Sequence, residues 1–208
     1  MYLSRVELDY KKEETMMALS ALNRFHGAVE RSFPGDKVKT LWRLDSYHGK
    51  KYILILSDTK PDMTNFIKQF GVEGKDPAWE CKEYDSFMER VMDGTKWHFR
   101  LTANPTFSKA SKDGSRGKIT AHTSPFYQKK WLIDQGAKKG FALDQNEFDI
   151  VQSQWQNFTK RGERTISILL ITFEGILSVK DSSEFKKVLK DGLGRSKAYG
   201  AGLMTLVS

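Results

Sequence analysis

The same order of hydrophobic periods occurs twice along this chain, and a duplicated order of elements leaves few folds open. Residues 1–10 set Tyr2, Val6 and Leu8 against Ser4, Arg5, Glu7 and Asp9, close to the period of two that marks a strand. Residues 15–33 place Leu19, Leu22, Val29 and Phe33 at helical steps, and Pro34-Gly35 stops the run, so one long helix is expected there. Strands follow at 38–45 and 51–57, joined by the hairpin-sized Ser46-Tyr47-His48-Gly49-Lys50. A short helix at 62–70 is closed by Gly71, residues 71–77 read as loop, and 82–100 reads as a pair of strands around Met92-Asp93-Gly94-Thr95.

After a polar, basic stretch from Ser108 to Lys118, which has no apolar period and reads as a mobile loop, the order resumes. Ser124-Pro125 is a cap followed by proline in the first helical turn, and Phe126, Tyr127, Trp131 and Leu132 continue an amphipathic helix to about Lys139-Gly140. Strands at 148–158 and 165–179 flank a basic tip, and Asp181 caps a helix at 182–191 with Glu184 in capping-box position. A glycine-rich stretch and a strand at 203–207 finish the chain. The pattern predicts an α+β protein of two tandem ferredoxin-like (RRM-like) βαββαβ units, because one doubly wound parallel sheet would need more helices. The expected boundaries are 1–107 for the N-terminal unit, 108–123 for a basic linker and 124–208 for the C-terminal unit.

The glycine-rich stretch, Gly192-Leu193-Gly194-Arg195-Ser196-Lys197-Ala198-Tyr199-Gly200-Ala201-Gly202, carries the chemistry. Glycine permits positive φ and close approach, and Arg195 and Lys197 supply charge for an anion. It lacks the third glycine of a dinucleotide loop and the Gly-Lys-Ser/Thr of a P-loop, and it follows a helix instead of opening one, so no nucleotide cofactor is expected. From the motif alone, a plain helix-to-strand turn competes evenly with anion binding. The net charge of +8 and pI near 9.4 favour an acidic partner such as nucleic acid. The single cysteine, Cys81, excludes a disulfide framework and a cysteine-rich zinc site, and points to a reducing cytoplasm. No apolar run approaches the ~20 residues of a membrane span, and Met1-Tyr2-Leu3-Ser4-Arg5 is not followed by a signal-peptide core. His48, His98 and His122 lack metal-ligand spacing, so no metal site is expected.

Several motifs together resemble the CasE family, the CRISPR-associated endoribonucleases of the type I-E interference complex (Cascade). They are Met1-Tyr2-Leu3-Ser4-Arg5, the helix bearing His26, Phe99-Arg100-Leu101-Thr102-Ala103-Asn104-Pro105, Phe173-Glu174-Gly175 and the stretch from Gly192 to Leu203. They span the chain in the family's order, and the glycine stretch is the most specific. The resemblance implies two ferredoxin-like domains, a CRISPR repeat RNA stem-loop as partner, and metal-independent cleavage at its 3′ base to leave a 2′,3′-cyclic phosphate. It also implies retention of the guide RNA with the other subunits of the complex.

On spacing alone His26 reads first as a core histidine at the edge of an apolar arc, beside Asn23 and Glu30. The resemblance reverses that order and makes it the catalytic acid or base, a role suited to a group that titrates near neutrality. Some family members carry a tyrosine three residues before this histidine, where this chain has Asn23, and an amide cannot exchange a proton as a phenol does. Lys197 and Tyr199 are therefore the candidates for a second catalytic group. For RNA contact the resemblance points to Arg31, to the basic hairpin residues Lys160, Arg161 and Arg164, and to Gly192, Gly194, Arg195 and Ser196 of the loop. Lys109, Lys112, Arg116 and Lys118 either add phosphate contacts or form a charged linker. Two rival functions stay open at this point: a catalytically silent RNA-binding subunit of the same architecture, and an RRM-like single-strand binder, for which no RNP1-type run is present.

Overall fold

The computed structural model describes residues 1–35, 38–109, 117–159 and 165–207. In chain order they form β1 (Tyr2–Leu8), α1 (Glu13–Ser20), α2 (Asn23–Arg31), β2 (Thr40–Tyr47), β3 (Lys50–Ser57), α3 (Thr64–Phe70), β4 (Trp79–Glu83) and α4 (Asp85–Glu89). The second part comprises β5 (Lys96–Ala103), β6 (Thr106–Lys109), β7 (Lys118–Ala121), α5 (Pro125–Lys138), β8 (Phe141–Ala142), β9 (Phe148–Thr159), β10 (Thr165–Val179), α6 (Ser182–Asp191), a 3₁₀ turn (Lys197–Tyr199) and β11 (Met204–Val207).

The first sheet has the antiparallel order β2-β3-β1-β4. Alternation on β1 and β3 turns Val6, Leu8, Ile53 and Ile55 to one face, where Leu22, Phe25, Val29, Phe66 and Phe70 of the helices complete a core. The second sheet runs β11-β5-β10, with β9 and then the short β8 along the far side of β10. Leu132, Phe185, Val188 and Leu189 cover it from α5 and α6, and the Asp181 side chain caps α6 by accepting from the Glu184 N–H at 3.0 Å. Each half is thus a ferredoxin-like βαββαβ unit, as the repeated order predicts. No helix among the described residues is long and apolar enough to cross a membrane.

The structure corrects four expectations. The first unit does not extend to residue 107, because β5 pairs with β10 from Trp97↔Leu177 to Ala103↔Ile171 and opens the second sheet. The region between β4 and β5 is not a strand pair but contains α4, since Tyr84, Met88 and Val91, four and three residues apart, bury one helical face. The long helix is broken at Ala21, with φ −143° and ψ 84°, although neither proline nor glycine stands there. Ser20 bonds back to the Met16 carbonyl at 3.1 Å, and Leu22 turns into the core. Finally, Thr106–Lys109 and Lys118–Ala121 pair as an antiparallel ribbon instead of joining a loop.

The seam between the units is built on Arg43, which is 1% exposed. Its Nε and Nη2 donate to the two Asp45 oxygens at 2.8 and 2.7 Å. Nη1 donates to the carbonyls of Arg100 and Leu203 at 2.7 and 3.0 Å, and Nη2 also donates to Thr205 Oγ1 at 2.9 Å. All five guanidinium donors are used, three of them on the second sheet. Arg100 Nε donates to Asp45 at 3.0 Å and its guanidinium pairs with Glu174. Burial pushes the Asp45 carboxyl up, but Arg43 and then Arg100 outweigh it and hold it below its ordinary value.

Removing the guanidinium leaves Asp45 paired with Arg100 alone and two carbonyls without their donor, so Arg43→Ala should cost about 3–5 kcal/mol in urea unfolding. Because the folded Asp45 has the lower pKa, its contribution is present above the unfolded value of about 3.9 and is lost as pH falls through the folded one. Unfolding measured from pH 7 down to 3 should therefore show a steeper loss for the wild type than for Asp45→Asn.

Candidate active site

Helix α2 is anchored by Phe25, which is fully buried and packs on Trp42, Phe66 and Phe70 with ring centroids 6.0, 6.4 and 5.1 Å away. One residue on, about 100° round the helix, His26 comes to the rim of the core with its side chain 32% exposed. Its Nε2 lies 3.5 Å from Glu30 Oε1 one turn along, an ion-pair distance when the imidazole is protonated. His26 Nδ1 and Asn23 Oδ1 are both buried without a protein hydrogen-bond partner. Such atoms are satisfied by solvent or by a ligand hydroxyl.

The glycine-rich loop meets this helix from the second unit. Its base is closed by Leu193 N–H donating to the Gly202 carbonyl at 2.9 Å, and Gly202 N–H donates to Thr102 of β5 at 2.7 Å. Ser196 takes the left-handed conformation, φ 66°, and its Oγ accepts from Asn104 Nδ2 at 2.9 Å. Asn104 is 7% exposed and leaves its Oδ1 buried without a partner. The 3₁₀ turn that follows packs directly against α2. Gly200, φ 79°, lies so close to Trp42 that a Cβ would stand 2.7 Å from the indole. Trp42 is therefore a floor shared by the loop and, through Phe25, by the helix carrying His26.

Lys197 Nζ donates to the Asp191 carbonyl at the end of α6, at 2.6 Å. Burial, then Lys39, lowers its pKa against the opposing pull of the Asp191 carboxylate, with a further push from Lys139. Lysine charge is thus concentrated behind the turn, while Arg195 is exposed and Gly194 lies against Trp131. The Tyr199 ring packs on Phe158 at 4.9 Å. The cleft beside the loop is lined by Leu22, Trp42, Thr102, Gln154, Tyr199 and Lys51 among others, so amides and hydroxyls outnumber charges there.

The helix carrying His26 thus packs against the 3₁₀ turn Lys197–Tyr199, which Ser196 immediately precedes. Arg31 folds back along its own helix, its guanidinium lying 3.4 Å from the point where a Gly27 Cβ would stand. Lys109 and Lys118 are not at this cleft but face each other across the β6-β7 ribbon. Lys112, Arg116, Lys160, Arg161 and Arg164 lie outside the described residues; Thr159 and Thr165, which flank the last three, are paired. Among the described residues no group of three or more His, Cys, Asp or Glu is placed to hold a metal. Sequence reasoning named Glu30 only as a neighbour and missed Trp42 and the buried support from Asn104. The i, i+4 spacing of His26 and Glu30 was the signal available for the first.

A family model described as CRISPR associated protein matches residues 1–207. The chain belongs to that family. Among relatives of this CRISPR-associated protein, the CRISPR-associated endoribonuclease Cse3 of Thermus thermophilus is 27% identical over 190 residues, covering 86% of this chain and 84% of the relative. A structure of CRISPR endoribonuclease Cse3 bound to a 19-nucleotide RNA superposes with a TM-score of 0.83 at 21% identity, over 100% of both chains. Cas6e from Escherichia coli K-12 gives 0.69 at 20% identity, over 99% of this chain and 98% of that one. At these identities the two structures establish that the CRISPR-associated protein shares their fold.

A side chain at Gly200 must both adopt positive φ and displace the indole beneath it. Gly200→Val should therefore lower the melting temperature by several degrees and disorder the loop, read as increased proteolysis between residues 192 and 202, whereas Ala198→Val should be milder.

Proposed function

We propose that this protein is an endoribonuclease that binds the stem-loop of CRISPR repeat RNA and cuts at its 3′ base, leaving a guide RNA with a 2′,3′-cyclic phosphate. The observation that carries the reading is the packing of the helix bearing the partly exposed His26 on the 3₁₀ turn of the glycine-rich loop. The relative named an endoribonuclease supports it. The lone Cys81 and an RNA substrate accord with a cytoplasmic location.

RNA brings its own nucleophile. When the strand is held in line, the ribose 2′-oxygen bonds to phosphorus as the bond to the 5′-oxygen breaks, one proton leaving the 2′-OH and one reaching the 5′-oxygen. His26 makes one of these transfers, worth about 10²–10⁴-fold in rate. Asn23 cannot make the other but can hold a hydroxyl with its buried Oδ1. Lys197, fixed at the turn, offsets charge on the phosphate oxygens, and loop backbone beside Gly194 and Ser196 accepts the close approach of the strand. Arg195 and Arg31 add phosphate contacts at the rim. Lys160, Arg161 and Arg164 are assigned to the phosphates of the stem, whose deep, narrow groove favours recognition by shape. The other subunits of the interference complex are the protein partners implied by retention of the guide.

His26→Ala should lose cleavage by about 10²–10⁴-fold while keeping its affinity for the stem-loop, measured by single-turnover kinetics and filter binding. EDTA should leave the rate unchanged, and a 2′-deoxy residue at the cut site should abolish it. Tight binding with no discrete cut by the wild type would instead mark a silent RNA-binding subunit.

A further inference from the structure

Large aromatic side chains ordinarily turn inward, yet Phe126 and Tyr127 are 66% and 54% exposed and Phe107 is 40% exposed. These rings form a continuous run. Phe107 on β6 lies 4.7 Å from His122, His122 lies near-parallel to Tyr127 at 5.9 Å, and Tyr127 meets Phe126 edge-on at 5.2 Å. Their support is rigid. His122 N–H donates to the Pro105 carbonyl at 2.9 Å, and the buried Gln128 donates to the His122 carbonyl at 2.7 Å. Burial lowers the His122 pKa, which favours the neutral ring.

The surroundings indicate what covers the run. Lys109 stands two residues from Phe107, on the same face of β6, and its cross-strand partner is Lys118. Like charges placed opposite each other destabilise a strand pair, and an anion between them relieves the repulsion. The run also adjoins the candidate active site on two sides. Trp131, one turn along α5 from Tyr127, lies 3.3 Å from where a Gly194 Cβ would stand, and β6 begins two residues after Asn104, which holds Ser196. Stacking rings beside paired cations fit single-stranded nucleic acid, because every base has a face to stack and every nucleotide a phosphate. A hydrophobic protein surface would add no charge opposite the two lysines, which pair with no carboxylate among the described residues.

We propose that Phe107, His122, Tyr127 and Phe126 form a stacking platform for unpaired nucleotides of an RNA strand passing the glycine-rich loop, with Lys109 and Lys118 holding its phosphates. The platform rests on the RNA-cleaving reading for the identity of that strand. It predicts that the protein distinguishes a repeat stem-loop carrying unpaired flanks from the bare stem-loop.

The test compares the wild type with Phe107→Ala/Tyr127→Ala, and with Tyr127→Leu, which keeps apolar bulk without an aromatic face. Each is titrated with the bare stem-loop, with the same stem-loop flanked by about eight unpaired nucleotides, and with an unstructured RNA of that length, a typical single-strand site. The wild type should bind the flanked RNA more tightly than the bare one. The double variant should lose about 5- to 100-fold on the flanked and unstructured RNAs and nothing on the bare stem-loop, with Tyr127→Leu intermediate. Equal wild-type affinity for flanked and bare RNA, or variants that weaken all three RNAs alike, would overturn the platform; the former result would leave the patch to a protein contact. Failure of the wild type to cut the stem-loop removes the cleavage reading, whereas the binding differences judge the platform independently.

Discussion

The saturated guanidinium of Arg43 is the interaction on which the rest of the arrangement depends. A buried charge is costly unless every donor has a partner, and this one obtains its five from both units: Asp45 beside it on β2, and two carbonyls and a hydroxyl from β5, β11 and the segment leading to it. No rotation of one sheet against the other can preserve that set. Around it, Leu41 and Leu56 of the first sheet enter the core of the second unit, so the open sheet face on which an RRM would display its bases is partly covered. The rival reading as an RRM-like single-strand binder loses its surface for this reason.

The loop and helix that meet beside the seam have different owners. The loop is tied to β5 through Thr102 and Asn104, while the helix is held by Phe25 in the first core. Trp42, one residue before Arg43, lies under both. The same β2 strand therefore supplies the clamp and the floor. The local backbone supports this division, because the break at Ala21 starts α2 afresh and places His26 in its first full turn.

What could be read from residue order was what depends on near neighbours. The Asp181 cap, the hairpin before His48-Gly49 and the positive φ of the loop glycines all follow from local chemistry, and the repeated order gave the two units. Partner choice over long range was not legible. The alternation at 96–103 identifies a strand but not its sheet, and only pairing with β10 and β11 assigns it. Nothing in the strand pattern at 38–45 marks Arg43 for burial, because three of its five bonds go to groups at the second sheet. The break at Ala21 carries no proline or glycine, and α4 hides its period in too few residues. In the site, His26 and the loop were both visible as motifs, but the packing of the His26 helix on the 3₁₀ turn was not, nor was the aromatic run, whose members come from β6, the segment after β7, and α5.

Since the imidazole belongs to one half of the chain and the loop to the other, neither half contains the whole candidate site. The two βαββαβ units supply two scaffolds, and under the proposed function the reaction depends on the angle between them. Under that reading, a substitution far from the site that tilts one sheet by a few degrees would appear as a lost rate in a protein that is fully folded and still binds RNA. On the proposed function the two units therefore differ in task, the first presenting the imidazole and the second the loop that receives the strand.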